Sequence, residues 1–125
     1  MSEAGWRELL RDEQADELRT IGMSLQDGEL VVEERSDGEL TYRAFGSLTC
    51  VRRVTVGSEH AGLVAGALGL SRVGLEEALA QFFSGEGSFL SDLQDCLDRA
   101  EVPYSYATTC GNNIALRTAA ATGLE

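Results

Sequence analysis

Lysine is missing altogether from this 125-residue chain, whose basic complement is ten arginines set against 21 Asp and Glu and a single His. The resulting net charge of -11 repels phosphate, so a nucleic-acid partner is not expected unless the arginines are segregated from the acids. Long apolar runs are also lacking. The longest, Ala61 to Leu70, is about half of the roughly twenty residues a membrane span requires, and no basic-then-apolar leader opens the chain. A soluble, cytoplasmic protein with no membrane contact is therefore expected. Cysteine occurs three times, as Cys50, Cys96 and Cys110, an odd number with no C-x-x-C spacing. That pattern supports neither a disulfide framework nor a zinc knuckle, and it reads Cys50 and Cys96 as inert buried hydrophobes. The lone His60 has Val64 rather than a second ligand four residues on, so no metal site is expected. Glycines 62, 66, 69 and 74 sit in helical patterns, not after a strand, so no phosphate-cradling loop and no cofactor are expected either.

What is present is a 43% apolar composition, sufficient for one core in a chain of this length. The expected architecture is a single acidic α+β domain over residues 1–123, with Leu124 and Glu125 as an appended tail. Trp6, Leu10, Leu18 and Ile21 recur at helical spacing among charged residues, which predicts an amphipathic N-terminal helix from Ser2 to Gly22. Asp27-Gly28 and Asp37-Gly38 are two-residue hairpin signals, and Gly46-Ser47 suggests a third turn. Closing all three predicts a four-stranded antiparallel meander with Met23, Leu25, Leu30, Val32, Phe45, Leu48, Cys50, Val54 and Val56 on its buried face. Glu34, Arg43 and Arg52 interrupt that face, and Glu33 and Arg53 lie on the other. Ser58, Ser71 and Ser88 are candidate N-caps for three helices, running to Leu68, Phe83 and Ala100. Pro103 ends the last of them. A C-terminal β-hairpin is expected from Tyr104–Thr109 and Ile114–Thr118.

The stretch Leu40 to Gly57 carries Arg43, Arg52 and Arg53 and no acid, so it is +3 against -14 for the remainder of a chain whose net charge is -11. Tyr42 and Phe45 are interleaved with these arginines. The predicted register sets the arginines against Glu33 and Glu34, so ion pairing across strands is expected to neutralise them. Cys110 stands apart because hydroxyl-bearing residues and a Gly-Asn-Asn turn surround it. An exposed thiol there would be nucleophilic if a base lowered its pKa.

One further stretch, Val64 to Leu79, has a small residue at Ala65, a turn glycine at Gly69, a capping Ser71 and apolar Leu75 and Leu79. It resembles the helix-turn-helix segment of bacterial and archaeal transcription regulators over about sixteen residues. The resemblance implies a second helix that reads DNA. The positions that would enter the groove include Glu76 and Glu77, which phosphates repel, and only Arg72 could donate.

Catalytic, metal and cofactor residues are thus not assigned. The expected function is that of a non-enzymatic binding or regulatory module acting through protein contacts, with Trp6, Tyr42, Arg43, Arg53, Tyr104 and Tyr106 as contact residues. A helix-turn-helix regulator and a thiol-dependent small enzyme built on Cys110 stand as alternatives. The terminal hairpin would leave unpaired backbone groups at an edge, so a homodimer that tightens with ionic strength is expected.

Overall fold

The computed structural model describes residues 6–85, 87–111 and 113–119, with side chains to residue 111. Strands, not a helix, open the chain. β1 (Arg7–Gln14), β2 (Glu17–Gln26), β3 (Glu29–Gly38), β4 (Thr49–Val56), β5 (Tyr104–Cys110) and β6 (Asn113–Ala119) form one six-stranded sheet in the order β1-β2-β3-β4-β5-β6. Every neighbouring pair is antiparallel. Helix α1 (Glu39–Phe45) is inserted between β3 and β4. A 3-10 turn (Ala61–Leu63) and helices α2 (Val64–Ala67), α3 (Leu75–Ser84) and α4 (Leu90–Arg99) intervene between β4 and β5.

The expected N-terminal helix is corrected to the β1–β2 hairpin, in which Arg7 pairs with Met23 and Gln14 with Glu17. A bulge between Glu8 and Leu10 explains the misleading spacing. It breaks the two-residue alternation, so the consecutive Leu9 and Leu10 both pack on the core and the apolar pattern imitates a helix. Gly22 is not a helix stop but a strand residue, and a Cβ placed there would meet the Trp6 indole at 2.6 Å.

The Asp27-Gly28 hairpin forms, with both residues at positive φ (54° and 85°), and it pairs Leu25 with Leu30 and Met23 with Val32. Asp37-Gly38 does not close a hairpin. There the chain enters α1, because Gly38 (φ 139°) lies against the backbone of the β1–β2 turn, where the Glu39 amide donates to the Asp16 carbonyl at 3.0 Å. The Glu17 carboxylate, brought by β2, then accepts the Leu40 amide at 3.0 Å, the Thr41 amide at 3.3 Å and the Thr41 hydroxyl. A residue distant in sequence thus satisfies donors that the first turn of the helix leaves unpaired. The foot of the insertion is closed by the Gly38 amide on the Leu48 carbonyl at 2.9 Å, and Asp37 pairs with Thr49. The predicted third strand is therefore a helix. Phe45 and Leu48, placed by prediction in the buried row, are both exposed, and Val56 and Val54 occupy the positions opposite Leu30 and Val32.

The core lies on one face of the sheet, where Ile21, Met23, Leu30, Val32, Val54 and Val56 meet Val64, Leu79, Phe82, Leu90, Leu93 and Leu97. Burying each such side chain contributes about 1.5–3 kcal/mol. The three expected helices are shorter than predicted. The first is the 3-10 turn plus the single turn of α2, and α3 and α4 begin after Gly74 and Phe89, not after Ser71 and Ser88. Asp92 caps α4 by accepting the Ser88 and Phe89 amides at 2.9 and 3.0 Å. The terminal hairpin joins the sheet as β5 and β6. Among the described residues no helix is long and apolar enough to cross a membrane.

Candidate functional site

The structure distributes the sequence-predicted contact residues over three places. Trp6 and Arg53 lie on the sheet face that carries no helix, where Trp6 rests on Gly22 and the Arg53 Nε donates to Glu33 at 2.8 Å. That face forms a shallow polar depression, with Thr20, Ser24, Val31 and Arg35 between them. Tyr42 and Arg43 are on α1, and Arg43 contacts only Glu39, at 3.8 Å, among the described acids. Tyr104 is buried and donates its hydroxyl to Asp98 at 3.0 Å, and Tyr106 packs on the edge of the core.

Cys110 is not a free thiol in this structure. It pairs with Cys50 across β4 and β5, with 4.1 Å between Cα atoms, and the two form a disulfide. The expectation that no disulfide forms is corrected accordingly. The pairing links cysteines 60 residues apart, and only the docking of β5 on β4 makes them neighbours. Cys96 is buried and outside the disulfide. His60 precedes the 3-10 turn, and no group of three His, Cys, Asp or Glu among the described residues is placed to hold a metal.

The most built polar arrangement was legible only in part. Glu34 and Arg52 lie on one face as predicted, but they pair directly across β3 and β4 because the strand expected between them is a helix, and Arg19, read as helical, completes the group from β2. Glu34 is 3% exposed. Its carboxylate accepts Arg19 Nη1 at 3.0 Å and the Leu90 amide at the start of α4 at 3.4 Å, and it stands 3.8 Å from Arg52 Nη1. Arg19 also donates to the Ser88 carbonyl at 2.6 Å. Each arginine lies against an aromatic ring, Arg19 at 4.3 Å from the centre of Phe89 and Arg52 at 5.3 Å from that of Phe45. These are cation–π distances. Glu34 thus anchors the start of α4 to the sheet, while Arg52 links it to α1.

Beside this anchor the surface becomes apolar. Of the seven large apolar side chains exposed among the described residues, Leu40, Tyr42, Phe45 and Leu48 fall within nine consecutive positions, at 42–59% exposure. Sequence patterning missed this because Phe45 and Leu48, read as strand, alternate into a buried face, apart from Leu40 and Tyr42 on the other. The helix-turn-helix-like stretch has a first helix of one turn, and Glu76 and Glu77 at the start of α3 face Arg7 at 3.7 and 4.0 Å. Compared with protein-family models, with curated proteins and with solved structures, the chain matches none.

Proposed function

We propose that this domain is a non-enzymatic protein-binding module whose contact element is the β3–β4 insertion. The observation that carries the reading is the clustering of Leu40, Tyr42, Phe45 and Leu48 on one short exposed element. Scattered apolar side chains on a surface need no explanation, but four large ones on a single short insertion, two of them aromatic and with arginine beside them, have the composition of an interface. The insertion is held rigidly at both ends, by Glu17 at the start of α1 and by the Gly38–Leu48 bond at its foot, which reduces the entropy lost on docking. The one-turn α2 and the paired glutamates of α3 weigh against a DNA-reading role.

A photo-crosslinking amino acid placed at Leu48 in cells is expected to give discrete protein adducts, with none from the same probe at exposed Glu101. Adducts of equal yield at both positions would refute the assignment.

Self-association is a second reading, favoured by the asymmetry of the sheet edges. The outer strand β1 carries Arg7, Glu8, Arg11, Asp12 and Glu13, whereas β6 carries Arg117 as its only charge. Charged side chains protect an edge against pairing, so β6 is the edge open to a second copy. Sedimentation is expected to give a homodimer that tightens as salt screens the -11 charge. A monomer at both low and high salt would exclude it.

A further inference from the structure

We infer that the helix-free face of the sheet is a binding site for a neutral carbohydrate, which stacks on Trp6 and is hydrogen-bonded by Glu33 and Arg53. The inference goes beyond the protein-binding reading and concerns a different face of the domain. Gly22, Glu33 and Arg53 are successive partners across β2, β3 and β4, so they form one row on that face. The indole of Trp6 lies on Gly22 at the end of the row. This seat exists only because glycine has no Cβ, since one built there would stand 2.6 Å from the ring. At ordinary strand spacing the row measures about 10 Å, close to the length of a disaccharide. The depression over it has a volume of about 630 Å³, within the ~300–1,000 Å³ of small-molecule sites.

The polar groups of the row are oriented but not used up. Both hydrogen bonds that Arg53 gives to Glu33, from Nε at 2.8 Å and from Nη2, end on Oε2. Among the described residues, Oε1 of the carboxylate and Nη1 of the guanidinium therefore remain available as an acceptor and a donor. The ion pair holds the two side chains in place before a ligand arrives, which lowers the entropy lost on binding. The hydroxyls of Thr20 and Ser24 and the amide of Gln26 line the same depression and make no side-chain hydrogen bond to any described residue.

Chemistry selects the ligand. An indole face takes up C–H surface, while hydroxyls, an amide and a charge-balanced pair take up hydroxyl groups, and a sugar presents both on one ring. A hydrocarbon would leave the polar groups dehydrated and unpaired. Each arginine of the depression is already balanced, Arg53 by Glu33 and Arg35 by Asp37, so neither an anion nor a cation is favoured.

Trp6 is the only tryptophan, so its emission reports directly on the site. Trisaccharides of glucose, mannose, galactose and N-acetylglucosamine are titrated against the intact domain, with a trisaccharide of galacturonic acid and adenosine monophosphate as anionic controls. At least one neutral sugar is expected to shift the emission to shorter wavelength in a saturable way, with the same affinity at low and high salt. In calorimetry Glu33→Gln should weaken that sugar about tenfold, the loss of one hydrogen bond to a charged group. Gly22→Ala, which displaces the indole, should weaken it at least as much. Circular dichroism checks that both variants are folded, and Glu33→Gln, on the exposed face, carries the test if Gly22→Ala is not. No saturable response to any neutral sugar, a response unaltered in the folded variants, or tighter binding of the anionic controls that weakens with salt would overturn the inference. The crosslinking at Leu48, on the insertion, is independent of all these results.

Discussion

Glu34 makes contacts of unequal length with two arginines, and this inequality can be converted into energies. Removing one partner of a buried ion pair costs about 3–5 kcal/mol, because the remaining charge is stranded. In Glu34→Ala the stranded group is Arg19, which is 15% exposed but keeps the Ser88 carbonyl at 2.6 Å and Asp12 at 3.7 Å. The lower end of the range therefore applies. A loss of about 3 kcal/mol corresponds, for a domain of this size, to a fall in Tm of roughly 10 °C. The decisive measurement is a pair of double-mutant cycles read by urea unfolding. The Glu34–Arg19 cycle, across a 3.0 Å hydrogen bond, should give a coupling near 2 kcal/mol, the value for a hydrogen bond to a charged group. The Glu34–Arg52 cycle, across 3.8 Å with Arg52 partly solvated, should give less than about 1 kcal/mol. Replacing both charges together, as Arg19→Met with Glu34→Leu, should recover most of the loss, since apolar packing often matches a buried pair. Equal couplings in the two cycles, or a loss below about 1 kcal/mol for Glu34→Ala, would refute the assignment of Arg19 as the principal partner.

Removing the Cys50–Cys110 disulfide, by reductant or by the double alanine variant, frees a loop closed over 60 residues. The chain-entropy relation gives about 4 kcal/mol for such a loop, or roughly 15 °C in Tm; an unchanged melting curve in reductant would contradict the pairing. Gly22→Ala should lift the indole of Trp6, the only tryptophan, off the sheet and shift its emission to longer wavelength; an unaltered spectrum and quenching rate would sink that contact. Phe45→Ala should cost under about 1 kcal/mol in thermal unfolding because the ring is 42% exposed, whereas a buried Phe costs about 3–5. Burial pushes the Asp37 carboxyl up, but hydrogen bonds from Arg35 at 2.8 Å and Thr49 at 2.6 Å outweigh it and leave it below the ordinary carboxylate range. A carboxyl with a lowered folded-state pKa adds stability above its unfolded pKa, near 3.9, and loses it as pH falls through the folded value. Asp37→Asn should accordingly flatten the acid limb of the stability curve below about pH 4, and an identical limb in both proteins would refute the contribution.

Several features were legible in the chain because their causes are local. The Asp27-Gly28 turn needs two residues at positive φ, and the dipeptide supplies them, so the Leu25–Leu30 and Met23–Val32 pairs followed directly. The terminal hairpin and helices α3 and α4 were marked by turn residues and by apolar spacing, although their starts lay two or more residues from the candidate serine caps. That Glu34 shares a face with Arg52, and Glu33 with Arg53, also followed from alternation along the strands, but their direct opposition arises only because the predicted intervening strand is a helix.

What the chain concealed has a common physical reason: its cause lies far away in sequence. The β1 bulge makes adjacent leucines face the core and counterfeits a helical period. Leu40–Leu48 alternates plausibly as a strand, and it is the Glu17 carboxylate, delivered by β2, that satisfies the first amides of α1 and turns those residues outward. Composition and local pattern by themselves determined an acidic α+β domain, its central turn and its positive stretch. Only tertiary pairing decided that Cys50 meets Cys110, that Arg19 joins Glu34, and that the apolar residues of the insertion face solvent, because each depends on strands that become neighbours only when the sheet closes.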